Sequence, residues 1–193
     1  TFDSGGSSAE LRRAFDMPAV GDIRARIMAL ADRSLEGNSE TVELLGYRLP
    51  KDAGPEALHR ELASLASGAH PLVAAIPEPM NEVVTQHLSA FRSLMPVDMD
   101  LAGASIGNLI LTSGYLSLDR QLEPVVRVFS GMVQARGVVM PVADSCAHLC
   151  VRLENGEVIV GQHRFTGKTA TAITSPILDM WLSASLDDPS PVS

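Results

Sequence analysis

The run Ala147-His148-Leu149-Cys150-Val151-Arg152-Leu153-Glu154-Asn155-Gly156-Glu157-Val158-Ile159-Val160 carries the clearest β signal in the chain and decides its fold class. Two apolar stretches, residues 147–153 and 158–160, flank a polar tetrapeptide. Asn-Gly between apolar strands is the strongest short-range hairpin signal. Just upstream, residues 137–142 are rich in β-branched side chains and are expected to form a further strand. Nearly everything before them has helical spacing. Residues 109–118 form an apolar run too long for most strands, which predicts a buried helix. Residues 119–136 continue with another, carrying Leu122, Val125, Val126 and Phe129 on one face. Residues 55–66 (Leu58, Leu62, Leu65) and 80–94 (Val83, Val84, His87, Leu88, Phe91) predict two more, joined by a proline-rich segment, 68–79. A helix is expected over 41–47, before Pro50. Asp22 stands as the N-cap of one running to about Arg33, with Ile23, Ile27, Leu30 and Ala31 at helical spacing. At the N-terminus, the glycine loop of residues 4–8 feeds a short helix ending at Phe15. The expectation is one helix-rich α/β domain over residues 1–193, ending in a small antiparallel β-hairpin element.

Composition narrows the function classes. With 46% hydrophobic and 20% charged residues, the chain buries a real core and is neither disordered nor fibrous. A net charge of -8, from 23 acidic against 15 basic side chains, argues against a nucleic-acid partner, whose footprint is basic. No apolar run approaches the ~18 residues of a membrane span, so no membrane partner and a cytoplasmic location are expected. Two cysteines four residues apart, Cys146 and Cys150, make no disulfide framework. The chain opens Thr1-Phe2-Asp3 and closes in a Pro/Ser/Asp stretch, which reads as a fragment of a longer protein.

Several constellations could carry chemistry. In Asp3-Ser4-Gly5-Gly6-Ser7-Ser8, two glycines permit close backbone approach, and the unpaired N–H groups of a following helix favour an anion. The same residues also suit an ordinary loop with a serine N-cap. Asp3 could hold a metal ion or an alcohol hydroxyl. Gly21-Asp22-Ile23-Arg24 reads as a capped helix start with arginines on a solvated face. Ser105-Ile106-Gly107-Asn108 is a polar mouth before an apolar helix, suited equally to capping and to flooring a ligand pocket. Cys146-x-His148-x-Cys150 lacks the fourth ligand that zinc wants and reads as a half-buried strand. Gly167-Lys168-Thr169 resembles a P-loop end, but five residues rather than four separate it from Gly161, and it is rejected. No Gly-x-Ser-x-Gly elbow exists, and His59, His70, His87, His148 and His163 pair with no nucleophile by spacing, so hydrolase chemistry is unsupported.

Together, Phe2-Asp3-Ser4-Gly5-Gly6-Ser7-Ser8-Ala9-Glu10-Leu11-Arg12, Pro18-Ala19-Val20-Gly21-Asp22-Ile23-Arg24, Gly103-Ala104-Ser105-Ile106-Gly107-Asn108, Arg136-Gly137-Val138-Val139-Met140-Pro141-Val142 and Leu153–Gly161 resemble the 2-phospho-L-lactate transferase (CofD-like) family. The wording of the first block, with Gly161-Gln162-His163-Arg164-Phe165-Thr166-Gly167-Lys168, is similar to a bacterial CofD-related branch found beside ATP-grasp and kinase-like proteins. The resemblance implies a Rossmann-like nucleotide-binding fold. It also implies transfer of a phosphoester group from a nucleotide-linked donor to an acceptor hydroxyl, with magnesium and a nucleoside diphosphate as ligand or product. Asp3 matches the first acid of the family motif and would be the catalytic and metal-binding residue. Ser4, Gly5, Gly6, Ser7, Ser8, Arg12, Gly21, Asp22, Arg24, Ser105, Gly107 and Asn108 would bind ligand or phosphate. Ser4 replaces the family's second acid and Ala104 its histidine, removing a carboxylate and an imidazole. The alternative is therefore a non-catalytic sensor of a nucleotide-sugar or phosphometabolite, related to the gluconeogenesis factor. The resemblance also places a glycine-rich turn before Thr1 and a nucleotide loop after Ser193. Apolar surface on the helices of 106–129 makes a homodimer a further expectation.

Overall fold

The computed structural model describes residues 2, 5–142, 145–166 and 173–191. They gather into two compact units, one over Val20–Val142 and the other over Thr1–Ala19 with Ala143–Ser193. The whole is helix-rich α/β with one small antiparallel sheet.

The sheet belongs to the second of these units. The expected hairpin is present as β1 (His148–Leu153) and β2 (Val158–Val160), with Cys150 opposite Val160 and Arg152 opposite Val158. Its turn is a three-residue loop. Gly156 N–H donates to the Leu153 carbonyl at 2.9 Å and Leu153 N–H to the Glu157 carbonyl at 2.8 Å. Gly156 takes φ +87°, which glycine adopts without a Cβ penalty. A third strand, β3 (Ile177–Ser183), pairs antiparallel with the other side of β1, giving the order β2-β1-β3. Sequence reasoning missed β3 because Leu178 and Met180 are exposed beside Asp179 and no apolar alternation marks it. All pairings among the described strands are antiparallel. Val151, Leu153 and Ile159 form the sheet's apolar cluster, with Phe165 packed against it. The same unit holds α1 (Gly6–Phe15).

The other unit is helical: α2 (Gly21–Ala29), α3 (Asn38–Gly46), α4 (Pro55–Ala66), the single turn α5 (Pro71–Ala74), α6 (Met80–Leu94), α7 (Ile106–Ser117) and α8 (Leu122–Met132). Helices α4 and α6 match their expected bounds, as strong apolar stripes make them: Leu58, Leu62 and Leu65 on one, Val84, Leu88 and Phe91 on the other, all buried. The apolar run becomes α7, the centre of the unit, packed by α2, α3, α6 and α8 and buried from Ile106 through Tyr115. It starts three residues earlier than expected, taking the Ser-Ile-Gly-Asn cluster into its first turn.

Four expectations differ from the structure. Residues 137–142 form no strand: Val138 and Val142 are 82% and 92% exposed, and no segment among the described residues pairs with them. Helix α2 stops at Ala29 rather than near Arg33. The chain beyond α8 captures its continuation, with Ala31 bridging Ala135, Asp32 N–H donating to the Val133 carbonyl and Arg136 N–H to the Leu30 carbonyl. Asp22 is not the N-cap, a place held by Val20. It sits in the first turn, where a carboxylate favours the positive end of the helix dipole. The expected helix over 119–136 is shorter, because Asp119 and Arg120 before it and Gln134 after it take left-handed backbone.

Candidate functional site

The start of α7 is built by two strands' worth of backbone in miniature. Residues 47–49 run antiparallel to 104–106, with Arg48 bridging Ser105. Ile106 N–H donates to the Tyr47 carbonyl at 3.0 Å, Leu49 N–H to the Ala104 carbonyl at 2.9 Å, and Arg48 Nη1 to the Gly103 carbonyl at 3.0 Å. This ladder fixes Ser105 at the N-cap of α7, yet the Ser105 side chain makes no capping bond. Its Oγ is buried and without a hydrogen-bond partner among the described residues, and so is Asn108 Oδ1, one turn on.

Helix α2 delivers Arg24 to the same place. A methyl group at Gly107 would stand 2.6 Å from the Leu45 carbonyl oxygen and 2.8 Å from Arg24 Cδ, so the arginine stem lies directly across the first turn of α7. Glycine is required there for close approach. Arg24 Nε is the third buried orphan of this cluster. Burial, and after it the charge of Arg48, push the Arg24 guanidinium below its usual range. The ion pairs among the described residues engage Arg13, Arg60, Arg127 and Arg136. Neither Arg24 nor Arg48 is in one. Two guanidinium groups without a carboxylate, at the positive end of a helix, form a site short of negative charge. Asn108 Oδ1 and Ser105 Oγ add acceptors for a hydroxyl, and Ser105 adds a donor. The set suits an anion that also bears hydroxyl groups.

The structure thus brings Gly21, Asp22 and Arg24 together with Ser105, Gly107 and Asn108 in one unit, although Asp22 touches none of the orphaned atoms in any described contact. Sequence reasoning missed Arg48. Its only signal was a basic residue just after a short helix and two before Pro50.

Gly5, Gly6, Ser7, Ser8 and Arg12 belong to the other unit. Gly5 is the N-cap of α1, with no side-chain cap, and Ser8 is buried. Arg12 is 8% exposed and turned to backbone: one Nη donates to the carbonyls of Cys146 (2.7 Å) and Ala147 (2.8 Å), the other to that of Phe2 (3.4 Å). These contacts tie α1 to the entry of β1. His148 Nε2 lies 3.4 Å from Arg12, and burial and that cation hold its imidazole below the usual histidine range. Cys150 is buried, which pushes its thiol up, and Cys146 precedes β1. Among the described residues no three His, Cys, Asp or Glu side chains gather as a metal site. Asp3, Ser4 and Gly167-Lys168-Thr169 lie outside the described residues. No described helix is long and apolar enough to cross a membrane.

Comparison with known proteins agrees with the motif pattern. The chain is 32% identical over 177 residues to the "Uncharacterized protein YNL011C" of Saccharomyces cerevisiae, covering 85% of this chain and 37% of that protein. It is 23% identical over 167 residues to the "Putative gluconeogenesis factor" of Thermotoga maritima, covering 86% and 36%. Among solved structures, a UPF0052 family member from Bacillus halodurans superimposes with a TM-score of 0.57 at 21% identity, over 94% of this chain and 40% of that one. The chain therefore spans less than half the length of these relatives. The family model described as 2-phospho-L-lactate transferase CofD matches residues 1–192, and the chain belongs to that family.

Proposed function

We propose that the Arg24/Arg48 cluster at the start of α7 holds the phosphate of a nucleoside diphosphate or nucleotide-linked phosphoester, as part of a CofD-like transferase that passes a phosphoester group to an acceptor hydroxyl. One observation carries the reading: two arginines without a carboxylate partner stand over a helix N-terminus where Ser105 Oγ, Asn108 Oδ1 and Arg24 Nε are buried and unpartnered. Leaving such atoms unpaired costs about 1–3 kcal/mol each, a cost that a partner reaching them, ligand or bridging water, removes. Catalysis in this reading rests on positioning and charge neutralisation. Magnesium enters the proposal through the family motif that Asp3 matches, since this ion commonly takes one or two carboxylates and completes its shell with phosphate and water.

The sensor reading retains one specific support. Ala104, where the family carries a histidine, is 2% exposed and has both backbone groups spent, its N–H on the Leu101 carbonyl and its carbonyl on Leu49 N–H, so this position supplies no side-chain proton donor. Thermal shift on the full-length protein with GDP, UDP and UDP-sugars, each with and without magnesium, tests both. The transferase reading expects a rise in Tm that needs magnesium, is lost in Arg24→Ala and Asp3→Ala, and accompanies product formation with an alcohol acceptor. A rise that ignores magnesium and Asp3→Ala, with no product, supports the sensor. No rise with any nucleotide overturns the anion-site reading.

A further inference from the structure

The ladder that carries Arg48 and Ser105 has a side-chain tether to a distant helix. Tyr47 is the C-cap of α3, and its backbone is spent on both sides: its N–H donates to the Leu44 carbonyl at 3.0 Å and its carbonyl accepts from Ile106 at 3.0 Å. Its phenol donates a short hydrogen bond to Glu61 Oε1 on α4, and its ring lies 5.7 Å from that of His70, tilted by 42°. The Glu61 carboxylate pushes the Tyr47 hydroxyl up to about 12, so the proton stays on the phenol throughout the working range. Helix α4 packs on α6 and α6 on α7, so the contacts close a ring: α4, α6, α7, the Ser105 bridge to Arg48, and back to α4 through Tyr47 and Glu61. The Tyr47 ring adds an indirect link, since His70 N–H donates to the Ser64 carbonyl of α4 at 3.1 Å, but the phenol–carboxylate bond is the direct hydrogen bond from this segment to α4 among the described contacts.

We propose that Tyr47 and Glu61 are positioning residues for the anion site, their hydrogen bond holding the 47–49 segment so that Arg48 and the first turn of α7 keep the spacing a phosphate requires. The proposal rests on the function assigned above to Arg24 and Arg48, and its physical content is separate from it. Neither residue touches the ligand. They act through the backbone between Tyr47 and Ile106, and a loose support around a charged site lowers affinity without removing any contact atom.

The test uses the full-length protein and two readouts. The first is the dissociation constant for pyrophosphate in wild type, Tyr47→Phe, Glu61→Leu and Glu61→Gln. The proposal expects a loss of about tenfold in Tyr47→Phe and Glu61→Leu, and less than twofold in Glu61→Gln, whose amide oxygen still accepts the phenol proton. Each variant's urea midpoint is measured beside it. A midpoint that falls while affinity holds makes the bond merely structural and overturns the proposal. The second readout needs no ligand: amide exchange at Leu49 and Ile106 speeds in Tyr47→Phe and Glu61→Leu and stays slow in Glu61→Gln. Unchanged exchange overturns the tether. If pyrophosphate fails to bind wild type, or binds Arg24→Ala equally well, the functional reading falls, while the exchange data still decide whether the ring is closed by this bond.

Discussion

Substituting Gly107 by alanine separates helix propensity from close packing. In a helix interior, glycine to alanine ordinarily stabilises by about 0.5–1 kcal/mol, through the chain entropy of glycine in the unfolded state. At Gly107 the added methyl meets the Leu45 carbonyl at 2.6 Å and Arg24 Cδ at 2.8 Å. The first is backbone inside α3 and cannot rotate away, so α3 and α7 must separate. Overpacking of that kind costs about 1–3 kcal/mol. The expected net effect of Gly107→Ala is a loss of about 1–2 kcal/mol, with Arg24 displaced and anion affinity lowered. Gly131→Ala is the control: a methyl there meets nothing within 4 Å, and stability should rise by about 0.5 kcal/mol. Gly114→Ala lies between, because its neighbour at 3.1 Å is the Val125 side chain, which can give way. The assay is urea unfolding followed by far-UV circular dichroism, since the one tryptophan, Trp181, sits on β3 in the other unit and would report on the wrong core. If Gly107→Ala is as stable as Gly131→Ala, α7 does not meet α3 and Arg24 as closely as described.

Three further outcomes follow from the same contacts. Arg24→Met removes a half-buried charge that lacks an ion-pair partner, so ligand-free stability should hold or rise by about 1 kcal/mol while the pyrophosphate-dependent rise in Tm disappears; a fall of more than that would show that Arg24 serves the fold. Asn38→Ala should cost about 1–2 kcal/mol in urea unfolding, because Asn38 Nδ2 donates to the carbonyls of Asp32 (2.5 Å) and Val133 (2.8 Å), and the Asp32 carbonyl would lose that donor while the Val133 carbonyl keeps only the Asp32 N–H; near-neutrality would refute the bridge. His87 is held below its usual range by burial, so the unfolded chain binds its proton more readily. Its contribution to stability is complete above about pH 6.5 and fades as pH falls below that. His87→Gln should flatten the stability slope between pH 7 and 5.5, and an unchanged slope would place the cause elsewhere.

How much of this was legible depended on whether local signals and tertiary contacts agreed. Helices α4 and α6 carry long apolar stripes that no neighbour overrides, and the Asn155-Gly156 turn forces the chain back on itself from purely local geometry. Where distant backbone competes, sequence reasoning failed: the residues after Ala29 look helical but pair with the chain after α8, and residues 137–142 look like a strand but find no partner. The site followed the same division. Gly21-Asp22-Ile23-Arg24 and Ser105-Ile106-Gly107-Asn108 stand out because they interrupt apolar patterns, but Arg48, Tyr47 and Glu61 do not. Their roles arise from a ladder between residues almost sixty positions apart.

The distribution of unsatisfied atoms adds a physical criterion that motif matching lacks. Six side-chain atoms among the described residues are buried without a hydrogen-bond partner, and three of them, on Arg24, Ser105 and Asn108, fall at one helix start. A packing fault would scatter such atoms, and each would be removed cheaply: alanine at 105 or leucine at 108 would suit the ligand-free fold better than the residues present. Arg24 makes the conflict sharper, since a methionine of similar volume would cover Gly107's neighbourhood without charge. That three costly choices coincide with a second arginine, and with a glycine admitting the first, means they are compatible with one another and incompatible with a ligand-free optimum. A site under such tension should become less stable and bind more tightly together, so variants that relieve the three orphans ought to gain stability in the order in which they lose pyrophosphate. A set of variants at 24, 105 and 108 showing stability and affinity falling together would break this link and return the cluster to the status of ordinary packing.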